Sequence, residues 1–301
     1  MKNLILRISL LLLFLILFVS TELYCQFLPE VIQKRIPVRI EIKNDSGSWS
    51  GAGFLLTEDS VNLFLVTGRH LIMTKSKGDS RTMPFKSDVM SIYTKVCEPF
   101  EGRKNDRWQI NLTCLKQKGA IAENIDKDII VALIGQHDAG GKHLITLNSC
   151  ISGSEKCECN FKGTVSLRKF DDLTEAMDSY ILGYPKSIQL DDSGRYVKYD
   201  FSEPLIRKGI VAGKDFKNKT IVVDCAVYPG NSGGPVFCYF NNIPNLIGMV
   251  IERIPFKQNV WDKENHKKDD NIWINSGYSI VIPIDFALDL ISEIKSKIKK
   301  E

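Results

Sequence analysis

Short runs of strand-forming residues separated by turns constrain this chain more than any other feature of its sequence. Val38–Lys43 alternates apolar and polar residues with a period of two, and the turn residues Asn44–Gly47 follow it. Trp49–Leu56 and Val61–Thr67 are predicted to form a hairpin. Ile284–Ile298 has apolar residues at three- and four-residue steps, which predicts an amphipathic helix. The pattern predicts an all-β protein of barrels or sandwiches that ends in a helix, and it disfavours alternating strand–helix architectures.

The same criteria predict strands along the rest of the chain. They are Ser91–Cys97, Trp108–Leu115, Ile129–Ile134, Ser179–Leu182, Tyr196–Phe201, Lys208–Val211, Thr220–Val227, Val236–Phe240, Leu246–Ile251 and Tyr278–Ile282. Gly135–Lys142 and Ser149–Cys159 are rich in loop-forming residues, and Ile254–Asn275 is predicted to be a polar insertion.

The length of 301 residues suits one large domain or two modest ones. We predict a first β-barrel at 26–150, an inter-barrel loop region at 151–175 and a second barrel with the terminal helix at 176–301. Charged residues make up 25% of the chain and hydrophobic residues 44%, which excludes intrinsic disorder. The formal net charge of +4, with both signs interleaved, argues against a dedicated nucleic-acid binder.

Residues 1–25 have the composition of an export segment. Lys2 and Arg7 precede the apolar run Leu10–Val19, which is followed by more polar residues. The run is shorter than the roughly 20 residues that span a bilayer. A cleaved signal, an uncleaved anchor and a lipid anchor at Cys25 all remain open. Each alternative exports the rest of the chain, so we expect a periplasmic or extracellular protein whose contact with a membrane is limited to an uncleaved N-terminal segment.

Of the eight cysteines, those beyond Cys25 are odd in number, so at least one thiol is unpaired in any set of intramolecular disulfides. Cys97 and Cys114 lie on strands predicted to face each other and form a plausible bridge. Cys157 and Cys159 have a spacing that is poor for zinc and have no neighbouring histidine, which favours a disulfide or free thiols over a metal site.

The sharpest chemical signal is Gly230–Pro235, which contains Ser232 among glycines. Such a segment turns tightly and places backbone N–H groups beside the hydroxyl, where they can stabilise a tetrahedral oxyanion. It also fits the Gly-x-Ser-x-Gly elbow of α/β-hydrolases. However, the strand-forming residues Val236–Tyr239 follow instead of a helix, and the only downstream histidine is His266, in a charged segment. The elbow interpretation therefore fails.

A serine nucleophile needs a base, and His70 is the best candidate. It follows the apolar strand Val61–Thr67 through Gly68 and Arg69. His137, His143 and His266 lie in glycine-rich or charged surroundings and are predicted to be ordinary surface residues.

A carboxylate must orient the imidazole of such a base. Asp128 directly precedes the apolar run Ile129–Ile134, so its carboxylate would be held at the end of a buried strand. Asp126 lies two residues earlier, on the same side of an extended chain, and is the alternative.

In this order the His, Asp and Ser segments resemble the trypsin-like serine peptidases, and most of all the bacterial branch that includes the HtrA/DegP-type proteases. The three segments are Val66–His70, Asp128–Leu133 and Gly230–Gly234; further matching segments are Ser50–Phe54, Gly183–Pro185, Lys208–Gly213 and Tyr278–Pro283. The resemblance covers nearly all of the chain beyond residue 25.

The resemblance implies two antiparallel β-barrels with the site in the cleft between them. His70 would act as general base and then general acid, Asp128 would fix its tautomer, and Ser232 would attack the substrate. Gly230, Asn231 and Ser232 would form the oxyanion-hole segment. No metal and no organic cofactor is needed by this mechanism.

Several positions depart from the resemblance. Asn231 stands where animal digestive enzymes have an aspartate, and Gly68-Arg69 replaces the Asn-x that bacterial members often carry before the histidine. Ala226 stands where trypsin-type specificity has an aspartate, so a pocket for a small or apolar side chain is expected around Ala226 and Gly248. A PDZ domain is not expected after the terminal helix.

The sequence-level hypothesis is therefore an exported serine endopeptidase that acts on polypeptides and not on nucleic acid. A peptide-binding module without catalysis and an esterase on the same scaffold are the alternatives. The oligomeric state is left open.

Overall fold

The computed structural model describes residues 36–57, 59, 61–74, 84–95, 105–137, 144–146, 149–153, 165–185, 203–261 and 268–298. These residues form two β-sheets and a long C-terminal helix. The strands are β1 Pro37–Asn44, β2 Gly47–Leu56, β3 Asn62–Gly68, β4 Val89–Lys95, β5 Asn105–Asn111, β6 Ile121–Asn124, β7 Ile129–His137, β8 Leu144–Thr146, β9 Ile151–Gly153, β10 Ser166–Leu167, β11 Asp178–Gly183, β12 Leu205–Asp215, β13 Thr220–Asp224, β14 Pro235–Phe240, β15 Ile243–Trp261 and β16 Lys268–Pro283. The helices are α1 Arg69–Ile72, α2 Leu112–Gln117 and α3 Ile284–Ile298.

The first sheet has the strand order β6-β7-β3-β2-β1-β4-β5-β9, with β8 paired to β7. Its pairs are antiparallel. In β1, Val38, Ile40 and Ile42 are buried, whereas Arg39 and Glu41 between them are partly exposed. This alternation is the period-two pattern of the sequence, with one face of the sheet turned to the core.

The second sheet has the order β10-β15-β14-β11-β12-β13-β16, with the short β10 parallel to β15, and it closes on itself because β16 pairs again with β15. Its inner face contains Ile181, Val211, Val223 and Val281, all fully buried. The predicted all-β class with antiparallel sheets and a C-terminal helix is confirmed.

Helix α3 leaves the second sheet and packs its apolar face against the core of the first. Ala287, Ile291 and Ile294 are buried in the same cluster as the first-sheet strands. Lys295 forms an ion pair of 2.9 Å with Asp59, in the turn between β2 and β3. The terminal helix therefore ties the C-terminal end of the described chain to the first sheet. None of the helices in the described ranges has the length and apolar character that a membrane crossing requires.

Two predicted elements are wrong. The strand predicted at Trp108–Leu115 ends at Asn111, whose side chain accepts a hydrogen bond from the N–H of Cys114 at 2.8 Å and caps α2. The predicted polar insertion Ile254–Asn275 is instead largely strand, because β15 and β16 continue as a paired ribbon as far as Trp261 and Lys268.

The cysteine prediction also changes. Cys114 forms a disulfide with Cys150, so the predicted Cys97–Cys114 bridge is wrong. The β9 strand pairs with β5, which places Cys150 next to the start of α2. Cys97, Cys157 and Cys159, the strand predicted at Tyr196–Phe201 and the export segment lie outside the described residues.

Candidate active site

His70 lies in α1, immediately after β3. The strand ends at Gly68, where a Cβ atom would lie 2.9 Å from Cε1 of His70, so a side chain there would displace the imidazole. The ammonium group of Lys86 donates to the carbonyl of His70 at 2.7 Å. The imidazole is about one-third exposed, so it is open to solvent.

Asp128 occupies the turn of the β6–β7 hairpin. Its φ of 52° is in the left-handed region, which Asp and Asn tolerate better than most residues. The side chain of Asn124 accepts the N–H of Lys127 at 3.0 Å, and the N–H of Asp128 donates to the carbonyl of Ile125 at 3.2 Å. These hydrogen bonds hold the backbone of Asp128 in the left-handed conformation.

Asp128 holds His70 through both carboxylate oxygens. Oδ2 lies 2.5 Å from Nδ1 of the imidazole, and Oδ1 accepts the backbone N–H of His70 at 2.8 Å. The carbonyl of Asp128 accepts the N–H of Arg69 at 2.9 Å. With Nδ1 bound to a carboxylate, a neutral imidazole carries its proton there and presents Nε2 as an acceptor. Asp126, the alternative, is exposed.

The Ser232 loop is seated against the first sheet. The carbonyl of Ser232 accepts the N–H of Ala52 in β2 at 2.9 Å. Gly233 has a φ of 90°, and a Cβ atom there would lie 1.9 Å from the carbonyl oxygen of Ala52. The glycine is thus required twice, by its backbone angle and by the close approach of β2. This contact brings the serine of the second sheet to the sheet that carries His70 and Asp128.

The hydroxyl of Ser232 donates to the carbonyl of Ile251 in β15 at 3.0 Å. A hydroxyl has one proton to donate, so in this structure the proton is directed to Ile251 and not to His70. The structure therefore brings His70 and Asp128 into direct contact and places Ser232 on an adjoining loop, with its hydroxyl engaged elsewhere.

Two backbone donors of the predicted oxyanion-hole segment are free. Across the described ranges, no acceptor is bonded to the N–H of Gly230 or of Ser232. The N–H of Asn231 donates to the carbonyl of Tyr228 at 3.0 Å, so it is not available to a substrate. Gly230 has a φ of 100°, which favours glycine at this position. The segment can present two N–H groups to a developing oxyanion, from Gly230 and Ser232.

The two predicted pocket residues lie in different surroundings. Ala226 is partly exposed in the loop before Ser232, and its carbonyl accepts a hydrogen bond from Arg207 at 3.2 Å. Gly248 is buried within the second sheet, where a Cβ atom would lie 2.1 Å from the carbonyl oxygen of Ile282. Packing against β16 accounts for the glycine at 248. A role for either residue in substrate binding stays a prediction.

Sequence reasoning missed the charged residues that support His70. Arg69 is buried, and its Nε contacts Oε2 of Glu123 in β6. Glu123 lies opposite Ile130 in the hairpin that carries Asp128, so this ion pair links α1 to that hairpin. The sequence signal for this ion pair was an arginine directly after an apolar strand. Its partner Glu123 is distant in the chain, so the sequence did not indicate the pairing.

The other candidate nucleophiles and bases have less suitable surroundings. Cys225 and Cys238 carry free, buried thiols, and burial raises the pKa of both, that of Cys238 to about 11. Neither is a thiolate near neutral pH, which makes both poor nucleophiles. The backbone of His137 ends β7, whereas His143 and His266 lie outside the described residues.

Comparisons with known proteins give structural similarity without sequence similarity. No family model matches the chain, and no curated protein matches it. Similar solved structures include the HtrA-type protease AlgW with a tripeptide, at 14% identity, 88% of this chain and a TM-score of 0.46. Others are a serine endoprotease from Yersinia pestis, at 11% identity, 90% of this chain and 0.46, and the protease Anisep from Arthrobacter nicotinovorans, at 11%, 83% and 0.47.

The chain covers 62% of the length of AlgW, 66% of the Yersinia protein and 90% of Anisep. The chain is thus similar in structure to HtrA-type serine proteases.

Proposed function

We propose that the protein is a serine endopeptidase that hydrolyses peptide bonds through an acyl-enzyme intermediate. The observation that carries the proposal is the bidentate contact of Asp128 with His70, at 2.5 Å to Nδ1 and 2.8 Å to the backbone N–H. A carboxylate that binds both the ring and the backbone of one histidine fixes the tautomer and the direction of the imidazole.

In the proposed reaction, Ser232 transfers its hydroxyl proton to Nε2 of His70 as its oxygen attacks the substrate carbonyl. The imidazolium that forms is stabilised by Asp128, and the oxyanion accepts the N–H groups of Gly230 and Ser232. His70 then returns the proton to the leaving amine. Water attacks the acyl-enzyme by the same route and restores the serine.

The bond between Ser232 and Ile251 has to break before attack. A peptide N–H that donates to the Ile251 carbonyl would compete for this acceptor and release the hydroxyl proton for His70. Substrate binding would thereby prepare the nucleophile. A rotation about χ1 of Ser232 is a fast motion, so we expect no slow activation step from this bond alone.

Labelling with a fluorophosphonate tests the proposal, because this reagent forms a covalent adduct with an activated serine. The full chain is expressed and the purified protein is labelled, and the adduct is mapped by mass spectrometry. We expect an adduct on Ser232 that is lost in Ser232→Ala and His70→Ala. Ser296→Ala, which removes an exposed hydroxyl in α3, is the matched control and should label normally.

The outcomes separate the alternatives. Folded protein that takes up no label would favour a peptide-binding module, an idea consistent with the engagement of the Ser232 hydroxyl by Ile251. A labelled protein that cleaves esters but no peptide would favour an esterase. Cleavage of a peptide library that depends on both Ser232 and His70 supports the endopeptidase.

Export to the periplasm or the extracellular space is the second part of the proposal. The apolar N-terminal segment and the Cys114–Cys150 disulfide support it, because disulfides persist in oxidising compartments. Fractionation of cells that express the full chain tests it. Recovery of the protein in the cytoplasm with Cys114 and Cys150 reduced would contradict export.

A further inference from the structure

Arg207 is a cation on the inner face of the second sheet. It lies in β12 and is paired with Ile181 of β11, a fully buried residue of the inner core. Because cross-strand partners share a face, the side chain of Arg207 points into the interior of the closed second sheet, which we call the ring. It lies near the start of β12, opposite the end of β11, where Gly183 packs against Asn231 of the serine loop. The guanidinium therefore lies at the end of the ring that is next to the Ser232 loop. We call this end the mouth.

The contacts of Arg207 within the described ranges do not neutralise its charge. One terminal nitrogen donates to the carbonyl of Ala226 at 3.2 Å, and the guanidinium carbon lies 4.5 Å from the ring centroid of Tyr228. The Nε atom is buried and has no acceptor within the described part of the chain. Among those residues Arg207 has no carboxylate partner. Arg207 is partly exposed, so an anion that enters from solvent can reach its guanidinium.

A second cation lies on the same face. Arg253 pairs with Ser279, which in turn pairs with the inner residue Val223. Arg253 is exposed, so it stands at the rim, whereas Ser279 is fully buried and its hydroxyl has no partner in the described structure. The nearby carboxylates of Asp224 and Glu252 occupy the alternate register positions of their strands and are exposed. The inner mouth of the ring is therefore positively charged.

This mouth adjoins the nucleophile on two sides. The loop from Ala226 to Gly230 leads to Ser232, and the carbonyl of Ile251, which accepts the Ser232 hydroxyl, lies two residues before Arg253. A substrate carbonyl held by the N–H groups of Gly230 and Ser232 would bring its own residue next to both segments, because Gly230 ends the first and Ser232 contacts Ile251 of the second. We infer that this residue, on the acyl side of the scissile bond, is preferentially Asp or Glu, and that Arg207 is the specificity-determining residue. The inference rests on the proposed function and replaces the expectation of a small or apolar pocket.

The test compares a series of peptidyl phosphonate esters that differ only in the side chain next to phosphorus: Asp, Glu, Asn, Gln and Leu. Each forms an adduct with an activated serine, and the rate of adduct formation is measured by mass spectrometry. A hydrogen bond between charged groups predicts that the acid reacts about tenfold to a hundredfold faster than its isosteric amide. Equal rates for Glu and Gln, or a faster Leu, would overturn the inference.

A fluorophosphonate without a side chain separates failure of the proposed specificity from failure of the proposed function. If it labels Ser232 while the acidic phosphonates show no advantage, the specificity is wrong and the proposed function stands. If neither reagent class labels folded protein, the proposed function fails and the specificity fails with it.

Variants assign the effect to one residue. Arg207→Gln should abolish the advantage of Glu over Gln, and Arg207→Lys, which keeps the charge should the first variant not fold, should retain part of the advantage. Arg168→Gln is the matched control, because Arg168 also lies over an aromatic ring, at 3.6 Å from Phe240, and donates to the backbone carbonyl of Asp172. An equal loss in Arg168→Gln would contradict the assignment to Arg207.

Discussion

Removal of the Glu123 charge should both destabilise the protein and slow the chemistry of His70. Arg69 directly precedes His70 and its side chain is 7% exposed, against 26% for Glu123. The N–H of Arg69 also bonds to the carbonyl of Asp128 at 2.9 Å. The ion pair and this backbone bond together hold α1 against the hairpin that carries Asp128.

Glu123→Gln preserves size and removes the carboxylate charge that the buried guanidinium of Arg69 contacts. Removal of one partner of a buried pair costs about 3–5 kcal/mol, and we expect a loss of about 3 kcal/mol because a quarter of the Glu123 side chain is exposed. Arg69→Met should cost a similar amount. The double variant should lose less than the sum, by about 1–3 kcal/mol. Urea unfolding, fitted with one common dependence on urea concentration, measures the free energy of unfolding of the starting protein, of the two single variants and of the double variant.

The rate of fluorophosphonate labelling is the second measurement. A small displacement of a catalytic group costs up to about a hundredfold in rate, so we expect a loss of about tenfold or more in Glu123→Gln under conditions where it is fully folded. Glu293→Gln, which breaks the exposed pair with Lys297 in α3, is the control and should cost less than about 0.5 kcal/mol. Additive free energies in the double variant, or unchanged labelling in Glu123→Gln, would refute the positioning role of the ion pair.

Three further changes test the rest of the structure. Burial opposes ionisation of Asp59, but hydrogen bonds from the β2–β3 turn and from Lys295 outweigh it and hold the pKa of Asp59 well below its usual value. Asp59→Asn should therefore lower the free energy of unfolding by about 1 kcal/mol at neutral pH, and urea unfolding at several pH values should show this difference shrink as the pH falls below about 4. Replacement of Cys114 and Cys150 by serine opens a loop with a sequence separation of 36 and should cost about 3–4 kcal/mol, measured with and without reductant. Gly233→Ala forces a side chain against the β2 carbonyl at a φ of 90°, so it should cost about 2 kcal/mol or more and abolish labelling of folded protein; normal labelling would contradict the described seat of the serine loop.

Much of the fold could be predicted because its signals are local. The alternation in Val38–Lys43 and the three- and four-residue steps in Ile284–Ile298 each follow from the geometry of one element, and both appear in the structure with bounds close to those predicted. The Trp108–Leu115 error is also local: the cap that Asn111 provides to α2 ends the strand, and strand propensity alone does not detect it. The long β15–β16 ribbon was missed because its polar sequence forms strands by mutual pairing.

The candidate site was likewise predictable from the sequence only in part. Residue type and neighbouring sequence were enough to propose His70, Asp128 or its alternative Asp126, and Ser232 in its glycine-rich segment as candidates. The choice between Asp128 and Asp126 is made in the structure by the β6–β7 turn, which directs the Asp128 carboxylate to His70 and leaves Asp126 exposed.

The sequence by itself determined the strand periodicity, the terminal helix and the residue types of the candidate site. Tertiary structure alone decided that Arg69 meets Glu123, that Cys114 meets Cys150, and that Arg207 meets the carbonyl of Ala226 in the loop before Ser232. The physical reason is distance along the chain. Propensity and periodicity act within a few residues, whereas these contacts depend on how strands far apart in sequence register with one another when the sheets close.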